Sequence, residues 1–226
     1  MDFTQLNRYV RRPVHPFPSA SDIARSIPSD AKYFCKLDAT KGYHQVPLAP
    51  SSRALTTFLL PNGRFRYCRG PMGLKSTSDH WCNRSDVVII GIPGCHKIVD
   101  DILITANSLD ELFDKIRQVL LRCRETGLTI CKRKLKVSTA LSFAGFHISP
   151  EGIQPDPSKV SAIKNFPTPT DVPAVRSFLG LANQFGQFLP DLAMATSRIR
   201  GLLKKNVVFQ WLPEHCLLYT SDAADE

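Results

Sequence analysis

The hydrophobic and polar positions of this chain predict strands in its first two thirds and helices in its last third. Tyr33-Phe34-Cys35-Lys36-Leu37 is a β-rich run that leads straight into Asp38. Thr56-Thr57-Phe58-Leu59-Leu60 and Arg64-Phe65-Arg66-Tyr67 flank Pro61-Asn62-Gly63, and Asn-Gly between β-rich runs is a strong hairpin signal. After Gly73, the span from Leu74 to Ile90 predicts a helix ending near Gly91 and Pro93. Two apolar, β-branched runs, Lys97-Ile98-Val99 and Ile102-Leu103-Ile104, are separated only by Asp100-Asp101. Ser108-Leu109-Asp110-Glu111 fits a capping box; Leu112, Ile116, Leu120 and Leu121 continue it at helical spacing to Gly127, a suitable C-cap. A second apolar hairpin is expected around Leu141 to Phe146.

From Pro157 the pattern turns helical, over Ser158 to Asn165, Pro173 to Phe188 and Leu192 to Lys204. Pro-Thr-Pro-Thr at 167–170 reads as a hinge between regions. The opening thirty residues carry Arg8, Arg11 and Arg12 beside Pro13, Pro16 and Pro18, a density that predicts extended or turn structure rather than long helix. The expected organisation is a mixed sheet-and-helix domain over 1–150 and a smaller helical region over 151–211.

Composition narrows this picture. At 226 residues the chain can bury a sizeable core. Its net charge of +9 suits either a polyanionic partner or an uncommitted basic surface, and charge alone weighs the two equally. Seven scattered cysteines with no C-x-x-C pair or zinc-finger spacing read as reduced thiols in a cytosolic or nuclear setting. Met1-Asp2-Phe3-Thr4-Gln5 has no basic stretch followed by an apolar core, so it is not a signal peptide. Val87-Val88-Ile89-Ile90 is far too short to span a bilayer.

The candidate chemistry lies in three aspartates. Asp is depleted in strands, so two in succession between apolar runs work against local propensity. Taken alone, Asp100-Asp101 is a tight hairpin turn and Asp38 a strand end or helix N-cap. Taken together, two strands can deliver carboxylates to one sheet edge, and oxygen ligands are what Mg²⁺ requires. Clustered carboxylates need a cation between them. Two metals held this way can drive an in-line displacement by a 3′-hydroxyl, which is polymerase chemistry, although three aspartates do not establish it.

The surrounding residues carry a resemblance that does. Phe34-Cys35-Lys36-Leu37-Asp38-Ala39-Thr40-Lys41-Gly42-Tyr43-His44-Gln45 resembles the first catalytic motif of gypsy-type long-terminal-repeat retrotransposon reverse transcriptases. Gly70-Pro71-Met72-Gly73-Leu74 resembles their nucleotide-pocket motif, and Val99-Asp100-Asp101-Ile102-Leu103-Ile104 their metal-binding aspartate pair. Gly127-Leu128-Thr129, Lys134 and Ser142-Phe143-Ala144-Gly145-Phe146 resemble the closing motifs and the primer grip. Pro155-Asp156-Pro157-Ser158-Lys159-Val160 and Arg176-Ser177-Phe178-Leu179-Gly180-Leu181 resemble the segment after the palm. These motifs follow in order from Asp2 to about Trp211.

The resemblance implies an α+β fold, with partial fingers and a palm whose antiparallel sheet packs on helices, then a small helical thumb-like region. It implies Asp38, Asp100 and Asp101 as ligands of two catalytic Mg²⁺ ions, Mn²⁺ being a substitute, with the Ala39 carbonyl as a further ligand. Tyr43 would be the steric gate against a 2′-hydroxyl; by itself it is a half-buried core tyrosine. Met72 would pack on the nucleotide or templating base, with Gly73 beside it; by itself it is gap-filling core. Lys134 would be a candidate acid for the leaving pyrophosphate, although Lys132, Arg133, Lys134 and Lys136 also read as a solvated charge run. Lys41 and the Gly42 amide would approach the triphosphate. Phe143, Ala144, Gly145 and Phe146 would hold the primer end, against a plain reading as an apolar core hairpin.

Two positions depart from the family pattern: Ile98 stands where many relatives carry an aromatic, and Leu-Lys-Ser-Thr-Ser-Asp follows Gly73 without a Ser-Pro or Ala-Pro ending. Asp2-Phe3-Thr4-Gln5-Leu6-Asn7 resembles a fingers motif whose preceding basic residues would lie before Met1. Residues 212–226 break from the family and read as a non-native tail. The implied partners are a template–primer duplex of RNA or DNA, deoxynucleoside triphosphates, and the ribonuclease H and integrase segments of a longer Pol polyprotein. The implied setting is a cytoplasmic virus-like particle or the nucleus, not a membrane. Three functions follow in order of preference: an RNA-directed DNA polymerase, an inactive nucleic-acid-binding remnant of one, and a palm polymerase making RNA, against which Tyr43 argues.

Overall fold

The computed structural model describes residues 1–186, 188–204, 207–212 and 215. In chain order they form α1 (Thr4–Asn7), α2 (Ala20–Ser26), β1 (Tyr33–Asp38), β2 (Phe58–Leu60), β3 (Gly63–Phe65), α3 (Lys75–Asp86), β4 (Cys95–Ile98), β5 (Asp101–Ala106) and α4 (Leu109–Thr126). There follow β6 (Lys136–Ser138), β7 (Leu141–Phe143), β8 (Phe146–Ser149), β9 (Gly152–Pro155), α5 (Pro157–Lys164), α6 (Val172–Asn183), α7 (Leu192–Ala195) and α8 (Ser197–Gly201). The chain divides into two compact units, Met1–Ala144 with Ile148–Gly152, and Gly145–His147 with the residues from Ile153 onward.

The first unit is built on a sheet ordered β4-β5-β1-β6, with antiparallel neighbours. Alternation decides its two faces. Cys35, Leu37, Ile102 and Ile104 point to one side and share a core with Trp81 and Cys82 of α3 and with Leu112, Ile116, Val119 and Cys123 of α4. Phe34, Lys36 and Asp38 alternate to the other side. Asp101 opens β5 against its propensity, a cost of about 1 kcal/mol. Burial decides the outcome: Ile102, Leu103 and Ile104 are all buried, and each contributes about 1.5–3 kcal/mol. The architecture is α+β, an antiparallel sheet on helices.

Caps set α4 as expected. The Ser108 hydroxyl accepts from the Glu111 amide at 3.2 Å, and Gly127 ends the helix at φ +68°. Its buried stripe, however, runs through Val119 and Cys123, while Leu120 and Leu121 are exposed. The helix expected to Ile90 stops at Asp86, because the β-branched run Val87-Val88-Ile89-Ile90 loses side-chain freedom in a helix. The β2–β3 turn is Pro61-Asn62, with Leu60 opposite Gly63, and Thr56 belongs to a preceding 3₁₀ helix rather than a strand.

The Pro-rich opening holds more helix than its composition predicts. Once past Pro18, Ser19 and Asp22 form a reciprocal capping box that starts α2. The arm before it is pinned to α3: Arg12 Nε lies 2.7 Å from Asp79, the His15 amide donates to Asp79 at 3.2 Å, and the His15 ring meets Asp86 at 2.7 Å. Asp79 is the residue that ends the Leu-Lys-Ser-Thr-Ser-Asp departure, so that departure buys an anchor for the arm.

In the second unit, α5 and α6 start at Asp156 and Asp171, each capping with its side chain. Val175, Phe178, Leu179, Ile199 and Leu202 form its core. α6 ends at Asn183, short of the expected Phe188. The single helix expected over Leu192 to Lys204 is broken at Thr196, whose hydroxyl donates to the Leu192 carbonyl at 2.7 Å and competes with helix continuation. Apart from Leu212 and His215, the 212–226 tail lies outside the described residues.

Candidate active site

The β1–β5 register places Asp38 directly opposite Asp101. β4 and β5 are joined by a two-residue turn, because Ile98 pairs with Asp101 and leaves only Val99 and Asp100 between them. The turn is therefore Val99-Asp100 rather than Asp100-Asp101, and Asp101 is a strand residue. Val99 adopts φ +51°, a left-handed conformation that costs a β-branched residue on the order of 1–3 kcal/mol. Such strain persists only where the surroundings enforce it. Here the Trp81 indole N–H donates to the Val99 carbonyl at 3.1 Å, and the Ala39 amide donates to the Asp100 carbonyl at 2.9 Å.

The three carboxylates differ in environment. Asp100 Oδ1 is buried without a hydrogen-bond partner. Burial, followed by the charges of Asp38 and Asp101, pushes the Asp100 carboxyl above its ordinary value. Asp38 Oδ2 pairs with Lys134 Nζ at 2.9 Å, and this hydrogen bond, with the charge behind it, raises the Lys134 ammonium. Asp101 Oδ2 pairs with Lys36 Nζ at 3.2 Å. Among the described residues no three His, Cys, Asp or Glu side chains are gathered as a ready-made metal cage. The carboxylates nevertheless fit a hard divalent cation: all the candidate donors are oxygens, carried at one sheet end, and one of them is buried and unpartnered.

The loop after β1 forms the floor. Lys41 turns it at φ +48° and is exposed, and Gly42–Gln45 is a 3₁₀ turn. Gly42 is pressed against the site: a Cβ there would overlap Asp100 Oδ1 and lie 2.6 Å and 2.8 Å from two Trp81 ring atoms. Gln45 fixes the loop from beneath, donating to Thr40 and Thr129 carbonyls at 2.7 Å and 2.9 Å and accepting from the Thr129 amide at 2.8 Å. Arg84 completes this clamp through the Gln45 and Thr126 carbonyls. Tyr43 is half-buried against the core, and burial, with the Asp100 charge after it, raises its phenol.

The remaining candidates divide. Met72 is 70% exposed, followed by Gly73 at φ +88°, so it does not fill a core gap. Phe143 is buried, and Lys36 Nζ lies 5.7 Å from its ring centroid. Ala144 and Gly145 turn the chain with φ +52° and +87°, and the division between the two units falls between them. Phe146 lies in the second unit with its ring 5.9 Å from Phe188. Lys36, Trp81 and Gln45 also belong to the surroundings of the carboxylates. Lys36 was detectable, since alternation alone puts it on the face of Asp38; the contacts of Trp81 and Gln45 span 18 and 84 residues and leave no local signal.

Comparison with known proteins bears on the family and the fold. The family described as Reverse transcriptase (RNA-dependent DNA polymerase) matches residues 1–151. The Retrovirus-related Pol polyprotein from transposon gypsy of Drosophila melanogaster is 33% identical over 207 residues, covering 90% of this chain and 20% of the polyprotein. That from transposon 412 of the same organism is 30% identical over 217 residues, covering 95% and 18%. The chain thus spans about a fifth of the length of the curated relatives it matches. Among solved structures, a foamy viral protease-reverse transcriptase in complex with double-stranded DNA superposes with a TM-score of 0.91 at 21% identity, over 96% of this chain and 39% of that one. A likeness at that identity speaks for the fold, while the match over 1–151 and the transposon relatives speak for descent, and by these the chain belongs to the reverse transcriptase family.

Proposed function

We propose that this chain carries the nucleotidyl-transfer centre of an RNA-directed DNA polymerase within a transposon Pol polyprotein, whose other segments include ribonuclease H and integrase. It extends a primer 3′-hydroxyl with deoxynucleotides on an RNA or DNA template. The observation that carries this reading is the Asp38–Asp101 pairing with Asp100 in the adjoining turn. Asp38, Asp100 and Asp101, with the Ala39 carbonyl, would hold the metal. When bound, two Mg²⁺ ions supply activation of the 3′-hydroxyl and charge stabilisation of the leaving pyrophosphate.

The chain's own residues position the reactants. Tyr43, seated by the Gln45 clamp, excludes a 2′-hydroxyl from the incoming sugar. Lys41, the Gly42 amide, Met72 and Gly73 line the nucleotide path. Lys134 would give a proton to pyrophosphate; beside Asp38 its ammonium is raised, so it stays protonated until the leaving group gains charge. Phe143 to Phe146 hold the primer end. Duplex partners are supported by the foamy viral neighbours, solved with double-stranded DNA and with RNA/DNA hybrid.

The direct test is extension of a DNA primer annealed to an RNA template with deoxynucleotides and Mg²⁺, using the chain both alone and joined to the polyprotein sequence that precedes it. Template-encoded product is expected. Salt-sensitive duplex binding without product from either form would instead identify a binding remnant. A second experiment addresses the gate. Tyr43→Val should lower the preference for deoxy- over ribonucleotides, as a ratio of kcat/KM values, by roughly 10- to 200-fold. An unchanged ratio would return Tyr43 to the status of a half-buried core residue.

A further inference from the structure

Lys36 is the one charged residue in the Phe34-Cys35-Lys36-Leu37 run, and it makes two contacts at once. Its ammonium lies 3.2 Å from Asp101 Oδ2, diagonally across the β1–β5 pair, and 5.7 Å from the centroid of the Phe143 ring in β7. A ring face and a carboxylate both favour a cation placed between them. The Lys36 side chain is 27% exposed, whereas that of Lys134, which pairs with Asp38, is 64% exposed, so Lys36 is the more firmly held of the two. Lys136 stands opposite Lys36 in the β1–β6 register, yet it is exposed and makes no ion pair among the described residues.

We propose that Lys36 is a positioning residue that acts as an internal counter-cation on Asp101, so that a divalent cation must displace it, and that it ties this carboxylate to the Phe143 strand. The proposal rests on the metal-binding reading above. A hard cation needs oxygen from Asp101, and Lys36 already engages Oδ2, so the two cations repel each other and compete for that oxygen. Metal binding therefore frees the ammonium from Asp101 while leaving it beside Phe143. The strand that carries the metal ligand is in this way coupled to the strand expected at the primer end.

The test is direct Mn²⁺ binding to the full chain, read from the paramagnetic resonance signal of free Mn²⁺, which needs no polymerase activity. Lys36→Met should bind Mn²⁺ roughly 3- to 10-fold more tightly than wild type, because a competing cation has gone. Lys36→Arg should stay near wild type. Lys136→Met, which removes a neighbouring charge without touching Asp101, should change the affinity less than about twofold. In an Asp101→Asn background, Lys36→Met should have no effect. A Lys136→Met shift as large as that of Lys36→Met, or a Lys36→Met gain that survives Asp101→Asn, would overturn the proposal. Should Lys36→Met not fold, Lys36→Gln serves the same comparison with a polar stem. Mn²⁺ binding that ignores Asp38→Asn and Asp100→Asn would overturn the metal reading itself. Normal sensitivity to those two with an inert Lys36→Met overturns only the role of Lys36.

Discussion

Asp100→Asn should abolish primer extension while leaving the protein more stable than wild type. The loss expected is at least about 1,000-fold in the chemical step, or about 4 kcal/mol of barrier. Asp100 supplies the buried, unpartnered oxygen around which the site is arranged, and an amide is a poor ligand for a hard cation. The stability gain follows from the same facts. The fold holds this carboxylate half-buried and in the field of two others, and these outweigh the Trp81 contact and push it towards its neutral form. Removing that charge relieves both burdens. A gain near 1 kcal/mol would raise Tm by roughly 2–4 °C in a chain of this length.

The sign of the pH dependence gives a stricter check. A carboxyl whose folded value is raised is destabilising when ionised, so its penalty grows as pH rises from the ordinary carboxylate range through the raised one. Below that range Asp100 is protonated whether folded or unfolded, and the penalty is absent. With a chelator present, the Tm difference between Asp100→Asn and wild type should be full at neutral pH and close as the solution is acidified. Equal extension by the two proteins would sink the catalytic assignment. Loss of extension together with a lowered Tm would show that Asp100 serves the fold instead.

What the sequence disclosed, and what it did not, divides by the range of the forces involved. β1 and α4 were legible because their signals are local: alternation into Asp38, a serine cap, a glycine stop. The three aspartates were legible as a constellation, and the register brings Asp38 and Asp101 face to face. α3 is shorter than its expected end at Ile90, because the β-branched run after Asp86 loses side-chain freedom in a helix. The turn at the site was displaced by one residue for a deeper reason. Val99 would not choose a left-handed conformation locally, and the bond that holds it comes from Trp81, far back in α3. Alternation puts Lys36 on the face of Asp38, but its partners Asp101 on β5 and Phe143 on β7 come from distant strands. Residues that contradict their local preference are the ones tied most directly to the carboxylates, as expected where function is kept at the expense of local consistency.

Gly42→Ala should cost both activity and stability, and the comparison with a second glycine shows why. Gly42 does not occupy the left-handed region, so an alanine is conformationally acceptable there and only space decides the outcome. The added methyl would overlap Asp100 Oδ1 and crowd the Trp81 ring at 2.6 Å and 2.8 Å. Neither neighbour yields freely. Trp81 is 1% exposed and tethered to Val99, while the Asp100 backbone is held by the Ala39 amide. Overpacking of this kind costs about 1–3 kcal/mol. Relief by pushing the Asp100 carboxylate about 1 Å aside would cost roughly 100-fold in extension rate, the usual penalty for a misplaced reacting group. Gly145 presents the opposite balance: its φ of +87° disfavours any side chain by about 1–2 kcal/mol, but the atoms a Cβ would meet are at the flexible end of Lys159. Gly145→Ala should therefore lose stability through its backbone alone, with Lys159 moving away. Single-turnover extension and thermal unfolding of Gly42→Ala separate the two effects. A variant with wild-type rate and lowered Tm would mean that Trp81, not Asp100, had moved, and the carboxylate would then be held by the turn rather than by the glycine floor.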